Sequence, residues 1–132
     1  VEITCYRSRI GQVITNLITN AADALTEKNS RGKQNNEAFD GKIVIATSCS
    51  KRGEIPGILV SVSDNGDSVP QELHDQIFEE FFTTKPAGEG TGLGLAMCVK
   101  IVKDHSGMLS ISDDESLGGA RFELWLPVEA HK

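Results

Sequence analysis

The chain has 132 residues, 39% of them hydrophobic and 24% charged, which suits one globular domain with a single sizeable core. Its net charge of −6 argues against a nucleic-acid partner, which would want a basic face. No apolar run approaches the ~18 residues of a membrane span, and no leader pattern opens the chain.

Three cysteines, Cys5, Cys49 and Cys98, are scattered without a CxxC pair and read as free thiols of a reducing compartment. The expected location is therefore cytoplasmic. Because the chain opens abruptly on VEITCY, it is expected to be a fragment of a longer protein, occupied along 1–132 by one domain.

Glu2 to Tyr6 alternate as a short strand does. From Arg7 to about Glu27, Ile10, Val13, Ile14, Leu17, Ile18, Ala21 and Leu25 recur at helical spacing. Polar residues from Asn29 to Gly41 predict a surface loop. Two β-branched runs, Lys42 to Ser50 and Ile58 to Asp64, predict a hairpin joined by KRGEIPG. Pro70 to Phe78 predicts a short helix with Ser68 as its N-cap. The glycine-rich FFTTKPAGEGTGLG then leads into a helix from about Leu93 to His105, apolar on nearly every side and ended by Gly107. Leu109 to Asp113 and Ala120 to Pro127 read as two closing strands around Gly118 and Gly119. This order predicts an α+β two-layer sandwich, with helices on one face of a mixed, mostly antiparallel sheet.

Three local patterns carry chemistry. At 100° per residue, Asn16, Asn20 and Asp23 fall within about 60° of one another on the first helix, away from its apolar face. Asn and Asp are poor helix formers, so their alignment suggests a polar task, such as offering oxygens to Mg2+; a solvated surface is the alternative. In the second strand, Asp64 is in phase with Ile58, Val60 and Val62, which places a carboxylate on the apolar side. It could accept a hydrogen bond from the exocyclic amine of a base, with Gly66 allowing close approach, or it could close an Asx-turn on its own loop. Gly88, Gly90, Gly92 and Gly94 lie two apart directly before a helix, where unpaired amides and the dipole favour a phosphate. Lys85, Thr83, Thr84 and Thr91 lie nearby. The spacing matches neither GxGxxG nor GxxxxGK[ST].

Together these segments resemble the ATP-binding domain shared by gyrase, heat-shock chaperones, histidine kinases and mismatch-repair ATPases, the Bergerat-type fold. QVITNLITNAADAL (12–25) is similar to the N box and SDNGDSVP (63–70) to the first glycine box. IFEEFFTTK (77–85) is similar to the F box and GEGTGLGLAMCVKIV (88–102) to the second glycine box, with GGARFELWLP (118–127) closing the match. TTKPxGxGTGLGL is similar to sensor kinases of the nitrogen-regulation and dicarboxylate-sensing type.

The resemblance implies a sensor histidine kinase catalytic domain that passes the γ-phosphoryl of ATP to a histidine on a separate helical domain. It implies Asn20 as the Mg2+ ligand, Asn16 helping to hold that site, and Asp23 near the nucleotide. Asp64 would take the adenine amine beside Gly66. Lys85, Gly90, Gly92, Leu93, Gly94 and Leu95 would meet the phosphates, with Asn16, Asn20 and Lys85 catalytic. Phe82, Thr83, Thr84 and Thr91 belong to a lid from about Phe81, anchored by Phe78, Phe81 and Phe82. Implied partners are the kinase's own dimerisation helices and a response-regulator receiver domain, with this piece a monomer and the whole protein a homodimer. His105 matches a structural position, and His74 and His131 match no motif. Two departures are Ser68, where the family has glycine, and Glu80, where relatives often have proline. A serine/threonine kinase of the anti-sigma type, or a module that binds nucleotide without transferring phosphate, are the alternatives.

Overall fold

The computed structural model describes residues 7–34, 40–79 and 94–128. In chain order these form α1 (Arg7–Gln34), β1 (Ile43–Arg52), β2 (Ile55–Asp64), α2 (Gly94–Asp104), β3 (Met108–Asp113) and β4 (Ala120–Pro127), with two short 3-10 turns between β2 and α2. The strands make one sheet in the order β1-β2-β4-β3, and all three pairings are antiparallel. The strand expected over residues 2–6 lies outside the described residues.

The apolar stripe of α1 packs as its spacing predicts. Ile10, Val13, Leu17 and Ala21 are buried, joined by Ile14 and Ile18 at the margin. They meet the inward side chains of the sheet, Val62 from β2 and Ala120, Phe122, Leu124 and Leu126 from β4, together with Cys98, Ile101 and Val102 of α2. Helices thus cover one face of an antiparallel sheet, the α+β sandwich anticipated.

Four details differ from expectation. The helix α1 runs on to Gln34, through residues whose polarity reads as loop. Propagation of a formed helix costs little, so the extension needs no apolar face of its own. The hairpin is tighter than KRGEIPG suggests: Arg52 pairs with Ile55, which leaves two residues at the turn, and Gly53 supplies its φ of 61°. Between Pro70 and Phe78 no α-helix forms. Gln71–Leu73 and Gln76–Phe78 are 3-10 turns closed by bonds from Leu73 and His74 to Pro70 and Gln71, and from Glu79 to Gln76. Ser68 is not the cap; Pro70 holds that position with no side-chain bond, so only the tighter local bonds form. Finally, the residue that turns left-handed after α2 is Ser106, at φ 61°, ahead of Gly107. The amides of Ser106 and Gly107 close on the carbonyls of Lys103 and Val102, a Schellman pattern. Gly107 is needed for another reason: a Cβ there would strike the Trp125 carbonyl.

Candidate functional site

Asp64 ends β2 and is 2% exposed. Its Oδ1 accepts the Gly66 amide at 2.9 Å, so the Asx-turn alternative is realised. The Ala120 amide at the start of β4 also draws this carboxyl down. A carboxylate offers about four lone-pair positions, so two backbone donors leave acceptor capacity for a ligand. Burial pushes the Asp64 carboxyl above its usual value of 3.8 against the pull of these two amides; Asp114 pushes it further up and Lys28 draws it down.

Glycines shape the walls around this carboxylate. At Gly66 a Cβ would stand 3.1 Å from the backbone and Cβ of Ala24 on α1, so this glycine lets the helix seat against the loop. At Gly119 a Cβ would collide with the Asp64 carbonyl and Oδ1. Ser68 has no positive φ, so its replacement of the family's glycine carries no left-handed backbone cost.

Around Asp64 the structure adds residues that the sequence did not single out. Asn65 accepts the Lys42 amide at 2.7 Å and donates to the Asp40 carbonyl at 2.9 Å, tying the exit of β2 to the entry of β1. Lys28 reaches across from α1 and donates to the Asn65 carbonyl at 3.0 Å. Asp114 follows β3 and accepts the Leu117 amide at 2.9 Å, with the Ser63 hydroxyl also acting on its carboxyl. These groups hold Asp114 below the usual carboxylate range, the Leu117 amide first and the Ser63 hydroxyl second. Lys28 bonds a carbonyl 37 residues away and the side-chain partners of Asn65 lie 23 and 25 residues away, so the local sequence signals neither.

The other end of the site lies where α1 meets α2. Asn16, Asn20 and Asp23 are half-buried. Asn16 donates to the Gly94 carbonyl and to the Cys98 sulfur, each at 3.5 Å, and Gln12 donates to Met97 at 3.4 Å. Gln12 and Asn16 therefore face α2, and the bland reading of a solvated surface does not hold at Asn16. These long bonds tie α1 to the first turn of α2, where Gly94 opens the helix and no acidic side chain offsets the dipole. Among the described residues nothing crowds a Cβ at Gly94, so packing does not impose glycine there. Leu95 sits against the core, and Phe78 meets Phe122 edge to face with centroids 6.3 Å apart. Asn16 and Ala24 are eight residues apart on one helix, so the contact with Gly94 and the contact with Gly66 are about 12 Å apart along its axis.

His105 turns its Nδ1 onto the Ile101 carbonyl at 2.8 Å, and His74 bonds the Val69 carbonyl at 2.9 Å, so both rings are engaged locally. Burial raises the Cys98 thiol, and Cys49 is a free, exposed thiol. The expectations for Phe81, Phe82, Thr83, Thr84, Lys85, Gly90, Thr91, Gly92 and Leu93, and with them the lid and Glu80, fall outside the described residues.

Residues 5–130 match the family model for histidine kinase-, DNA gyrase B- and HSP90-like ATPases. The chain belongs to this ATPase family. Within it, 132 residues are 40% identical to the sensory histidine kinase/phosphatase NtrB of Azospirillum brasilense, covering 92% of this chain and 29% of that protein. The sensor protein ChvG of Rhizobium meliloti is 36% identical over 137 residues, 98% of this chain and 21% of its own length. The chain thus spans less than a third of these curated relatives. Among solved structures, the catalytic domain of histidine kinase ThkA superposes with a TM-score of 0.72 at 35% identity, covering 95% of this chain and 70% of that one. An ATPase domain of this family binds ATP, and the relatives place this member with sensor histidine kinases. No described helix is long and apolar enough to cross a membrane.

Proposed function

We propose that this chain is the ATP-binding catalytic domain of a two-component sensor histidine kinase of the nitrogen-regulation type. The observation that carries the reading is Asp64, a buried carboxylate held by the Gly66 and Ala120 amides with acceptor positions to spare. Such a group suits the exocyclic amine of adenine. Burying it costs stability unless a ligand repays the loss with a hydrogen bond.

In this reading the base lies at the Asp64 end of α1 and the triphosphate runs toward Gly94. The amides of Gly94 and Leu95, with those of Gly90, Gly92 and Leu93 before them, would meet phosphate oxygens at the positive end of α2. Lys85 would add charge, and Phe82, Thr83, Thr84 and Thr91 would cover the substrate. Among the described residues no three His, Cys, Asp or Glu side chains come together as a metal cage. A Mg2+ ion here would be held by the Asn20 amide oxygen and the oxygens of its substrate, the sparse protein ligation this ion accepts. When bound, it supplies positive charge to the phosphates, which makes the transfer mostly a matter of positioning and electrostatics. Asp23 would stand beside the nucleotide.

Asn16 occupies the position at which the family's hydrolases carry a glutamate. An amide donating to Gly94 takes no proton from water, which favours transfer over hydrolysis. The acceptor would be a histidine on the kinase's own dimerisation helices, and a response-regulator receiver domain would take the phosphoryl next. In the full-length protein those helices would make a homodimer, with the catalytic domain on the cytoplasmic side. Transfer of labelled phosphate from ATP to a supplied helical histidine domain tests this. The expected product is an acid-labile phosphohistidine; label on serine, or ATP binding without transfer, would overturn it.

A further inference from the structure

Asp114 lies outside every motif of the sequence, yet its bonds close the turn that leans on Asp64. Its amide donates to the Gly119 carbonyl at 2.8 Å, and its own carbonyl accepts the Gly118 amide at 2.7 Å. Its carboxylate accepts the Leu117 amide at 2.9 Å, and the Ser63 hydroxyl and the Ser116 amide stand near enough to draw its carboxyl further down. The two residues that leave this turn are Gly119, whose backbone leaves no room for a Cβ beside the Asp64 carbonyl and Oδ1, and Ala120, whose amide acts on the Asp64 carboxylate. Ser63 immediately precedes Asp64 in β2 and pairs with Arg121 in β4, so its hydroxyl beside Asp114 links the turn to the strand that carries Asp64. Asp64 is thus gripped from its own loop by Gly66 and from across the sheet by a turn whose shape depends on Asp114.

We propose that Asp114, acting through Ser63 and the 114–119 turn, is a positioning residue that fixes the orientation of the Asp64 carboxylate and thereby sets selectivity for an amino-substituted purine. This rests on the reading of Asp64 as the base-binding carboxylate. If Asp114 becomes alanine, the Leu117 and Ser116 amides and the Ser63 hydroxyl lose the carboxylate they act on. The turn then relaxes, and the Ala120 amide no longer fixes one rotamer of Asp64. Contacts to sugar and phosphate lie elsewhere and are unaffected, so the effect falls on base discrimination.

The test is calorimetric titration of this chain with ADP and with inosine diphosphate, which carries an acceptor oxygen where adenine has the donor amine. Wild type should prefer ADP by about tenfold or more, the size of one hydrogen bond to a charged group. Asp64→Asn should abolish that preference. Asp114→Ala should reduce the ratio by about threefold or more while inosine diphosphate binding stays within about twofold, and Asp114→Asn, which keeps an acceptor oxygen, should retain most of the preference. Ser63→Ala removes only the hydroxyl link, and decides the matter if Asp114→Ala does not fold; it should give a smaller fall of the same kind. If both affinities fall together in Asp114→Ala and Ser63→Ala, leaving the ratio intact, Asp114 is merely structural and the proposal is overturned while the Asp64 reading stands. If wild type does not discriminate and Asp64→Asn changes nothing, the Asp64 reading fails and takes this proposal with it.

Discussion

Two carboxylates near the same turn sit in opposite regimes. Asp64 is buried and its carboxyl is raised, because loss of solvent outweighs its backbone bonds. Asp114 stands at the surface turn and its carboxyl is lowered, because amides and a hydroxyl converge on it without comparable burial. The folded chain spends stability to keep Asp64 in place and gains stability from Asp114. A group that costs the free protein something, in a wall shaped by two glycines, is what the proposed base-binding role expects. A group that stabilises its own turn is there for the fold, and acts on the ligand only through what it holds.

The largest break in this comparison comes from the wall the two carboxylates share. Gly119→Ala would drive a methyl group into the Asp64 carbonyl and should lower unfolding free energy by about 2–3 kcal/mol, read from the urea midpoint. A loss below about 0.5 kcal/mol would mean that β4 can shift freely and that the grip on Asp64 is loose.

The pH dependence sharpens the contrast. With its folded carboxyl raised, Asp64 takes up protons in the folded state before the unfolded one, so its contribution falls as pH rises from the usual 3.8 through the raised value. Asp64→Asn should therefore leave Tm at pH 7 equal or higher, and should flatten the decline of stability above pH 4. Asp114 has the opposite sign: its contribution is present above the usual 3.8 and is lost as pH falls from there through the lowered value. Asp114→Asn should lower Tm at pH 7, with the deficit shrinking in acid. Thermal melts from pH 3 to 8 check both, and a lower Tm for Asp64→Asn at pH 7 would contradict the account.

The smallest effect belongs to the far end of α1. Asn16 makes two bonds of 3.5 Å to Gly94 and Cys98, long enough to be weak. Asn16→Ala should cost about 0.5–1 kcal/mol of stability in denaturant melts, with base discrimination unchanged.

Much of this was legible in the chain. The stripe from Ile10 to Ala21 has the period of a helix and packs as one, and β2 alternates up to Asp64 so that the carboxylate's burial follows from its phase. The end of α1 was not legible, because TEKNSRGKQ lacks an apolar face and nothing local separates a solvated helix from a loop. The 3-10 turns after Pro70 were also hidden, since whether a short helix tightens depends on a cap that the sequence offers at Ser68 and the fold does not use. In the site, Asp64 and Asn16 could be read, but Asn65, Ser63 and Asp114 act on partners brought near only by the sheet. Gly66 could be read as special, but the reason the fold adds, the close seat of Ala24 against it, could not.

The most direct test of the central claim is calorimetric titration of the chain with ADP and a non-hydrolysable ATP analogue, with and without Mg2+, beside folded Asp64→Asn. Binding in the micromolar range, about −8 kcal/mol, strengthened by Mg2+ and weakened about tenfold or more in Asp64→Asn, is the predicted result. Absence of heat from folded wild type, or binding that Asp64→Asn leaves unchanged, would contradict it.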